Sequence, residues 1–178
     1  MTLRPISLLL LLALAGCGAE QSSAPAAPPV ERAAAKPASS KQMPALTVET
    51  FQGGTFNLAD HRGKWVVVNF WATWCAPCLK EIPDFNAFAK SRPDVQFIGL
   101  AYEEIERADM EAFLKDHPID YPFAILDVYN PPADFDTPRG LPMTVLVAPD
   151  GKVAKTFLGP VTSADLAAAI DGGASAVQ

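Results

Sequence analysis

Two cysteines separated by two residues, Cys75 and Cys78, are the side chains of this chain best suited to chemistry. Thiols at this spacing can close into a small disulfide ring and open again, which predicts reversible redox chemistry. The pair directly follows the apolar run 65–71 and precedes an amphipathic stretch that begins at Leu79. A helix N-terminus stabilises a thiolate through backbone N–H groups and the helix dipole. The spacing and the position together predict a redox pair at the start of a helix.

A metal site is the alternative interpretation of the same two thiols. Zinc needs further ligands beyond one such pair, and the only imidazoles in the chain are His61 and His117. We expect His117 at a helix end and His61 in a loop, so we predict no metal and no cofactor. A copper chaperone stays open as a second function, although additional His and Met ligands near the pair are lacking.

The N-terminus has the features of an export signal. Arg4 precedes an apolar stretch, 6–14, that is shorter than the roughly 20 residues needed to span a bilayer. It leads into Leu-Ala-Gly-Cys at 14–17, which resembles the lipobox of bacterial lipoproteins. We therefore expect a signal peptide over 1–16 and a lipid on Cys17. An ordinary signal peptide that happens to contain a cysteine is the alternative.

Residues 17–42 and 43–178 differ sharply in composition. The first stretch is rich in Ala, Pro and Ser and cannot bury a core, which predicts a flexible tether behind the lipidated Cys17. The second has the length of one ordinary domain. An exported compartment is oxidising, so partners must maintain the remaining cysteine pair. A formal net charge of −6 without a basic stripe argues against a nucleic-acid partner.

The pattern of the domain predicts an α/β fold in which helices separate parallel strands and a terminal hairpin adds antiparallel ones. Pro83 lies inside the first predicted helix and predicts a kink there. A capping box at Thr162 and Asp165 begins the last helix. Between Asp127 and Leu141 we expect a short helix or turn followed by a loop. The predicted strands are 46–51, 55–58, 65–71, 95–101, 121–126, 143–147 and 152–158, and the other helices are 75–92 and 108–117.

The domain resembles the TlpA/ResA type of thioredoxin-fold proteins, which are membrane-tethered bacterial thiol–disulfide oxidoreductases. The resemblance extends over about 46–158 and is most specific at the run 68–78, at Pro83 and at the run 140–146. It implies a thioredoxin-like fold, with a central mixed sheet flanked by helices and an extra N-terminal β-hairpin. Thioredoxin itself has a buried aspartate where this chain has Asn69. That difference separates the chain from thioredoxin.

The resemblance implies a role for each residue of the motif. Cys75 is the expected nucleophile, and Cys78 resolves the mixed disulfide. Pro142 is expected to be cis, to lie against the pair and to block metal capture. The residues that surround the pair and tune it are Trp74, Ala76 and Pro77, with Trp71 as a further apolar neighbour.

A glutamate just past the second central strand lies near the cysteines in the ResA branch. Glu103 and Glu104 both stand at about that place, and either matches. The expected role is proton exchange with Cys78, because burial raises a carboxyl pKa towards neutrality. The alternative is a solvated acidic run that enters the following helix.

The resemblance also implies a function and its partners. We expect a lipid-anchored, monomeric reductant on the periplasmic face of the cell envelope, with the inner and outer membranes both left open. Its substrates would be protein thiols and disulfides, for example those of apocytochrome c, and a membrane-embedded thiol reductant would supply electrons. A thiol peroxidase on the same fold is another alternative. A thiol peroxidase needs a threonine three residues before its reactive cysteine, whereas Thr73 lies two residues before Cys75.

Overall fold

The computed structural model describes residues 43–174, and the predicted signal peptide, Cys17 and the tether lie outside the described residues. No helix within 43–174 is both long enough and apolar enough to cross a membrane. The strands are β1 (Thr47–Glu49), β2 (Thr55–Asn57), β3 (Trp65–Trp71), β4 (Val95–Ala101), β5 (Phe123–Ile125), β6 (Met143–Val147) and β7 (Val153–Leu158). The α-helices are α1 (Ala76–Ser91), α2 (Arg107–Asp116) and α3 (Ser163–Ala174), and a 3-10 helix spans Leu58–His61.

Five strands form one mixed sheet in the order β5-β4-β3-β6-β7, and β1 and β2 form a separate antiparallel hairpin. The β3–β4 and β4–β5 pairs are parallel, whereas β3–β6 and β6–β7 are antiparallel. Every residue of β3 is buried, as its apolar run, interrupted only by Asn69, predicts for a central strand. The predicted thioredoxin-like fold with an N-terminal hairpin is confirmed.

The two faces of the sheet have different covers, because successive strand residues point to opposite sides. The hairpin face carries Val66, Val68 and Phe70, which pack against side chains of the hairpin, the 3-10 helix and the segment 127–141. The helix face carries Val67, Asn69 and Trp71 of β3. Side chains of α1, α2 and α3 pack on this second face. All three α-helices of the described part therefore lie on the helix face.

Local sequence signals explain how the elements begin and end. The capping box is present, because Thr162 N–H donates to Asp165 at 2.9 Å and Asp165 N–H donates back to the Thr162 hydroxyl at 3.2 Å. Gly151 has a φ of 85° in the β6–β7 turn, a conformation that favours glycine. Helix α1 continues through Pro83, and the segment 127–141 contains turns without regular secondary structure.

Candidate active site

Cys75 and Cys78 form a disulfide with an S–S distance of 2.00 Å at the start of α1. Cys75 is the N-cap of the helix, and its sulfur accepts a hydrogen bond from Cys78 N–H at 3.4 Å. Pro77 lies in the first helical turn, where its missing N–H costs little. Both cysteines are buried, with exposures of 4% and 1%. The amide that serves the Cys75 sulfur can also stabilise its thiolate.

The two tryptophans of the motif occupy opposite environments. Trp71 is fully buried in the cluster that contains Cys75 and Cys78 and stacks on Phe113 with ring centroids 5.9 Å apart. Trp74 is 68% exposed, although it adjoins Cys75 in sequence. Trp71 therefore forms the apolar surround that the motif predicts, whereas Trp74 lies at the surface beside the pair.

The peptide bond between Leu141 and Pro142 is cis, as the resemblance implies. Leu141 packs against the buried cluster that holds the cysteine pair. The Pro142 carbonyl accepts a hydrogen bond from Gly159 N–H at 2.9 Å. The start of β6 is thereby joined to the end of β7.

The structure separates Glu103 from Glu104. Glu103 is 8% exposed, and its two oxygens accept bonds from Thr73 N–H at 2.7 Å and from the Thr73 hydroxyl at 2.9 Å. Thr73 lies in the short link between β3 and Cys75. Glu104 is exposed, and one of its oxygens accepts a bond from the Tyr129 hydroxyl at 3.1 Å. Glu103 therefore anchors the segment that leads to the pair, and Glu104 does not.

Glu81 is an acidic residue of the site that the sequence analysis did not single out. It lies three positions after Cys78 on α1, so both side chains project from the same helix face. Its side chain is 6% exposed, and one oxygen accepts a bond from Val161 N–H at 2.5 Å. Burial, assisted by the nearby charge of Asp84 and opposed by the bond from Val161, raises the pKa of Glu81 to about 7. The signal available in the sequence was its place in the buried stripe between Cys78 and Ile82.

A row of small or polar residues crosses the sheet on the helix face. Asn69 pairs with Gly99 on β4 and with Thr144 on β6. The Asn69 amide donates to the Thr144 hydroxyl at 3.0 Å, and both side chains are buried. The hydrogen bond satisfies this polar pair, so that its burial is tolerated in the core.

The residues considered for a metal site or a peroxidase make other contacts within the described part of the chain. The rings of His61 and His117 stack on Phe56 and Phe113, with centroids 4.5 and 4.7 Å apart. Within 43–174 no group of three or more His, Cys, Asp or Glu side chains is arranged to hold a metal. Thr73, considered for a peroxidase, directs its hydroxyl to Glu103.

Comparisons with known proteins agree with this geometry. The model of the AhpC/TSA family matches residues 40–160. The thiol–disulfide oxidoreductase ResA of Bacillus cereus is 34% identical over 128 residues, which cover 71% of this chain and 73% of that protein. ResA of Bacillus subtilis is 31% identical over 123 residues, which cover 67% of this chain and 66% of that protein. The chain belongs to the AhpC/TSA family and is a thiol–disulfide oxidoreductase of the TlpA/ResA type.

A solved structure supports the same fold for this TlpA/ResA-type chain. The thiol:disulfide interchange protein of Chlorobium tepidum, a thioredoxin family protein, superposes with a TM-score of 0.65 at 28% identity. The match covers 74% of this chain and 94% of that protein. The thioredoxin-fold oxidoreductase predicted from the motif and its surroundings is therefore confirmed.

Proposed function

We propose that Cys75 and Cys78 reduce protein disulfides through a mixed-disulfide intermediate. In the dithiol state the Cys75 thiolate attacks a client disulfide, and the sulfur that leaves takes up a proton. Cys78 then loses its proton and attacks the Cys75 sulfur, which releases the second client thiol and closes the 75–78 disulfide. Two electrons and two protons reach the client. The observation that carries this assignment is Cys75 as N-cap, with an amide directed at its sulfur.

Glu81 is the group that we propose exchanges the proton of Cys78. Cys78 is 1% exposed, so bulk water has little access to its thiol. Glu81 follows it by one helical turn and is itself buried, and its pKa of about 7 suits proton exchange near neutrality. Glu103, whose two oxygens are both occupied by Thr73, serves instead to position the segment before Cys75.

The surface that we propose receives the client lies around the pair and is apolar. Trp74 and Leu158 are large apolar side chains with exposures of 68% and 65%. Leu158 ends β7 and precedes Gly159, whose N–H donates to Pro142. An extended client segment can lie between them, with the backbone of Leu141 as its hydrogen-bonding partner.

The setting that we propose is the periplasmic face of the cell envelope, with a lipid on Cys17 and residues 17–42 as the tether. The predicted export signal and the ResA relatives support this setting. Clients would be envelope proteins with cysteine pairs, such as apocytochrome c, and a membrane-embedded thiol reductant would restore the dithiol. A reduction potential close to the about −270 mV of thioredoxin supports a reductant, and one close to the about −120 mV of DsbA would reverse the direction.

Trapping of the mixed disulfide tests the function. Cys78→Ser removes the resolving thiol, so we expect a disulfide-linked client to accumulate on Cys75 and to be released by dithiothreitol. Cys75→Ser is the matched control and should trap nothing, because it removes the thiol that we propose as the nucleophile. A Cys78→Ser chain that traps no client and a wild-type chain that reduces no model disulfide would together contradict the proposal.

A further inference from the structure

Three buried polar side-chain atoms have no hydrogen-bond partner among residues 43–174. They are Trp71 Nε1, one oxygen of Glu81 (Oε2) and the Tyr121 hydroxyl. Buried polar groups nearly always have a partner, since leaving one unpaired forfeits its hydration without compensation. Two of the three atoms are donors and the third is an acceptor, so the set is chemically complementary.

The three groups lie together in the interior of the helix face. A methyl group at Gly99 would lie 3.1 Å from Trp71 Nε1 and 3.2 Å from the Tyr121 ring, so both rings cover the same glycine. Tyr121 packs in one cluster with Val161, whose N–H binds Glu81. Burial and then the Glu81 charge raise the pKa of Tyr121, which places the carboxyl and the phenol within electrostatic reach of each other.

The two oxygens of Glu81 therefore differ. One is bound to Val161 N–H, and the other is buried without a protein partner. An ionised carboxylate gains most from donors that are charge-assisted and fixed in place. The Tyr121 hydroxyl and the Trp71 indole N–H are two buried donors without a partner among the described residues.

We propose that the Tyr121 hydroxyl and the Trp71 indole N–H are linked to the free oxygen of Glu81 by hydrogen bonds through one buried water. Together they position the carboxyl for proton exchange with Cys78. A buried water with two to four polar partners is an ordinary part of a protein interior. Tyr121 is thus a positioning residue that acts through Glu81 and does not touch the reacting sulfurs. This inference rests on the proposed function, because it gives Glu81 its role there.

Other charged and hydrogen-bonding groups near Glu81 come from α1 and from the link before α3. Asp84 on α1 is the nearby charge, and the link before α3 supplies Val161 N–H. The row on the helix face of the sheet, Asn69, Gly99 and Thr144, contains no titratable side chain. Outside α1, Tyr121 is a titratable group whose pKa the Glu81 charge raises.

The pKa of Glu81 in the oxidised full-length chain tests the inference. We would follow the side-chain carboxyl by ¹³C NMR in the wild-type chain and in Tyr121→Phe. Loss of the donor disfavours the carboxylate, so we expect an upward shift of about half a pH unit to one unit. Trp71→Phe, which removes the second donor and keeps an aromatic ring, should shift the pKa in the same direction. An unchanged Glu81 pKa in both folded variants would overturn the inference.

Tyr102→Phe is the matched control, because Tyr102 packs on the hairpin face and should leave the Glu81 pKa unchanged. A high-resolution crystal structure of the wild-type chain should show an ordered water that contacts Glu81 and Tyr121. A dry interior at that point would overturn the bridge. Trapping by Cys78→Ser is scored separately: a positive trap with an unmoved pKa rejects this inference alone, and a failed trap with a shifted pKa rejects the proposed function alone.

Discussion

The two faces of the central sheet differ in chemistry. The hairpin face is lined by apolar side chains such as Val68, Phe70 and Leu100. The helix face carries Asn69 and Thr144 in the sheet, with Glu81 above them on α1, and all three are buried. The cysteine pair belongs to a cluster on this second face.

The difference between the faces indicates that they have different roles. Apolar packing without polar atoms stabilises a fold and specifies little chemistry. Buried polar groups cost free energy unless they are bonded, and they interact strongly because the interior has a low dielectric constant. The hairpin face should therefore control stability alone, and the helix face should control both stability and the proton affinity of the redox site.

Truncation on the hairpin face should have the largest effect on stability. Leu100→Ala removes a fully buried side chain, and we expect a loss of about 2–5 kcal/mol in the free energy of unfolding. Chemical denaturation measures this loss. The reduction potential of the folded variant should match that of the wild-type chain. A shifted reduction potential would contradict the expectation that the hairpin face controls stability alone.

Glu81→Gln should change the pH dependence of stability. The folded pKa of about 7 exceeds the ordinary value of 4.5, so the unfolded chain loses its proton first as the pH rises. Wild-type stability should therefore fall between pH 4.5 and 7. At about 1.4 kcal/mol per pKa unit, the shift from 4.5 to about 7 predicts that the variant gains about 3–4 kcal/mol relative to the wild-type chain across this window. Urea titrations at several pH values measure both free energies of unfolding. If the wild-type and variant values change in parallel with pH, the carboxyl is not buried as described.

Glu103 and Glu104 are adjacent residues just after the end of β4, so the same substitution at each can be compared. Glu103→Ala removes both bonds to Thr73, and we expect a loss of about 1.5–3 kcal/mol in unfolding free energy. Glu104→Ala removes one exposed bond to Tyr129 and should stay within about 0.5 kcal/mol of the wild-type value. Equal losses in thermal or chemical unfolding would mean that Glu103 does not anchor the segment before Cys75.

Gly99→Ala probes the close packing beneath the helices. The new methyl group would lie 3.0 Å from Phe123 Cβ and 3.1 Å from Trp71 Nε1, so buried side chains must shift. We expect a loss of about 1–3 kcal/mol in the free energy of unfolding. Gly172→Ala makes the same change on α3 with no atom within 4 Å, and it should stabilise by about 0.5–1 kcal/mol. Equal free energies of unfolding for Gly99→Ala and Gly172→Ala would contradict the close packing around Gly99.

The sequence was most informative where a local pattern determines the structure. The apolar run of β3, the cap at Thr162 and the cysteine spacing each predict an element or a bond that is present. The cis state of Pro142 was implied by the resemblance and is confirmed. These features depend on neighbouring residues, or on a motif whose geometry a whole family shares.

Sequence reasoning was weaker where distant segments meet. Glu81 lies in a stripe predicted to be buried, but its charge favours exposure, and its partner Val161 is 80 residues away. The choice between Glu103 and Glu104 depends on where β4 ends, since a shift of one residue reverses which side chain points inward. Trp74, exposed beside a buried pair, is a tertiary feature that its apolar character does not predict.

The most direct test of the account is the reduction potential of the Cys75–Cys78 pair as a function of pH, in the wild-type chain and in Glu81→Gln. If the carboxyl exchanges a proton with Cys78, its pKa differs between the disulfide and dithiol states. The wild-type curve should then change slope near pH 7 by about 30 mV per pH unit, and the variant curve should lack this change. Two superimposable curves would contradict a redox pair coupled to the buried carboxyl of the helix face.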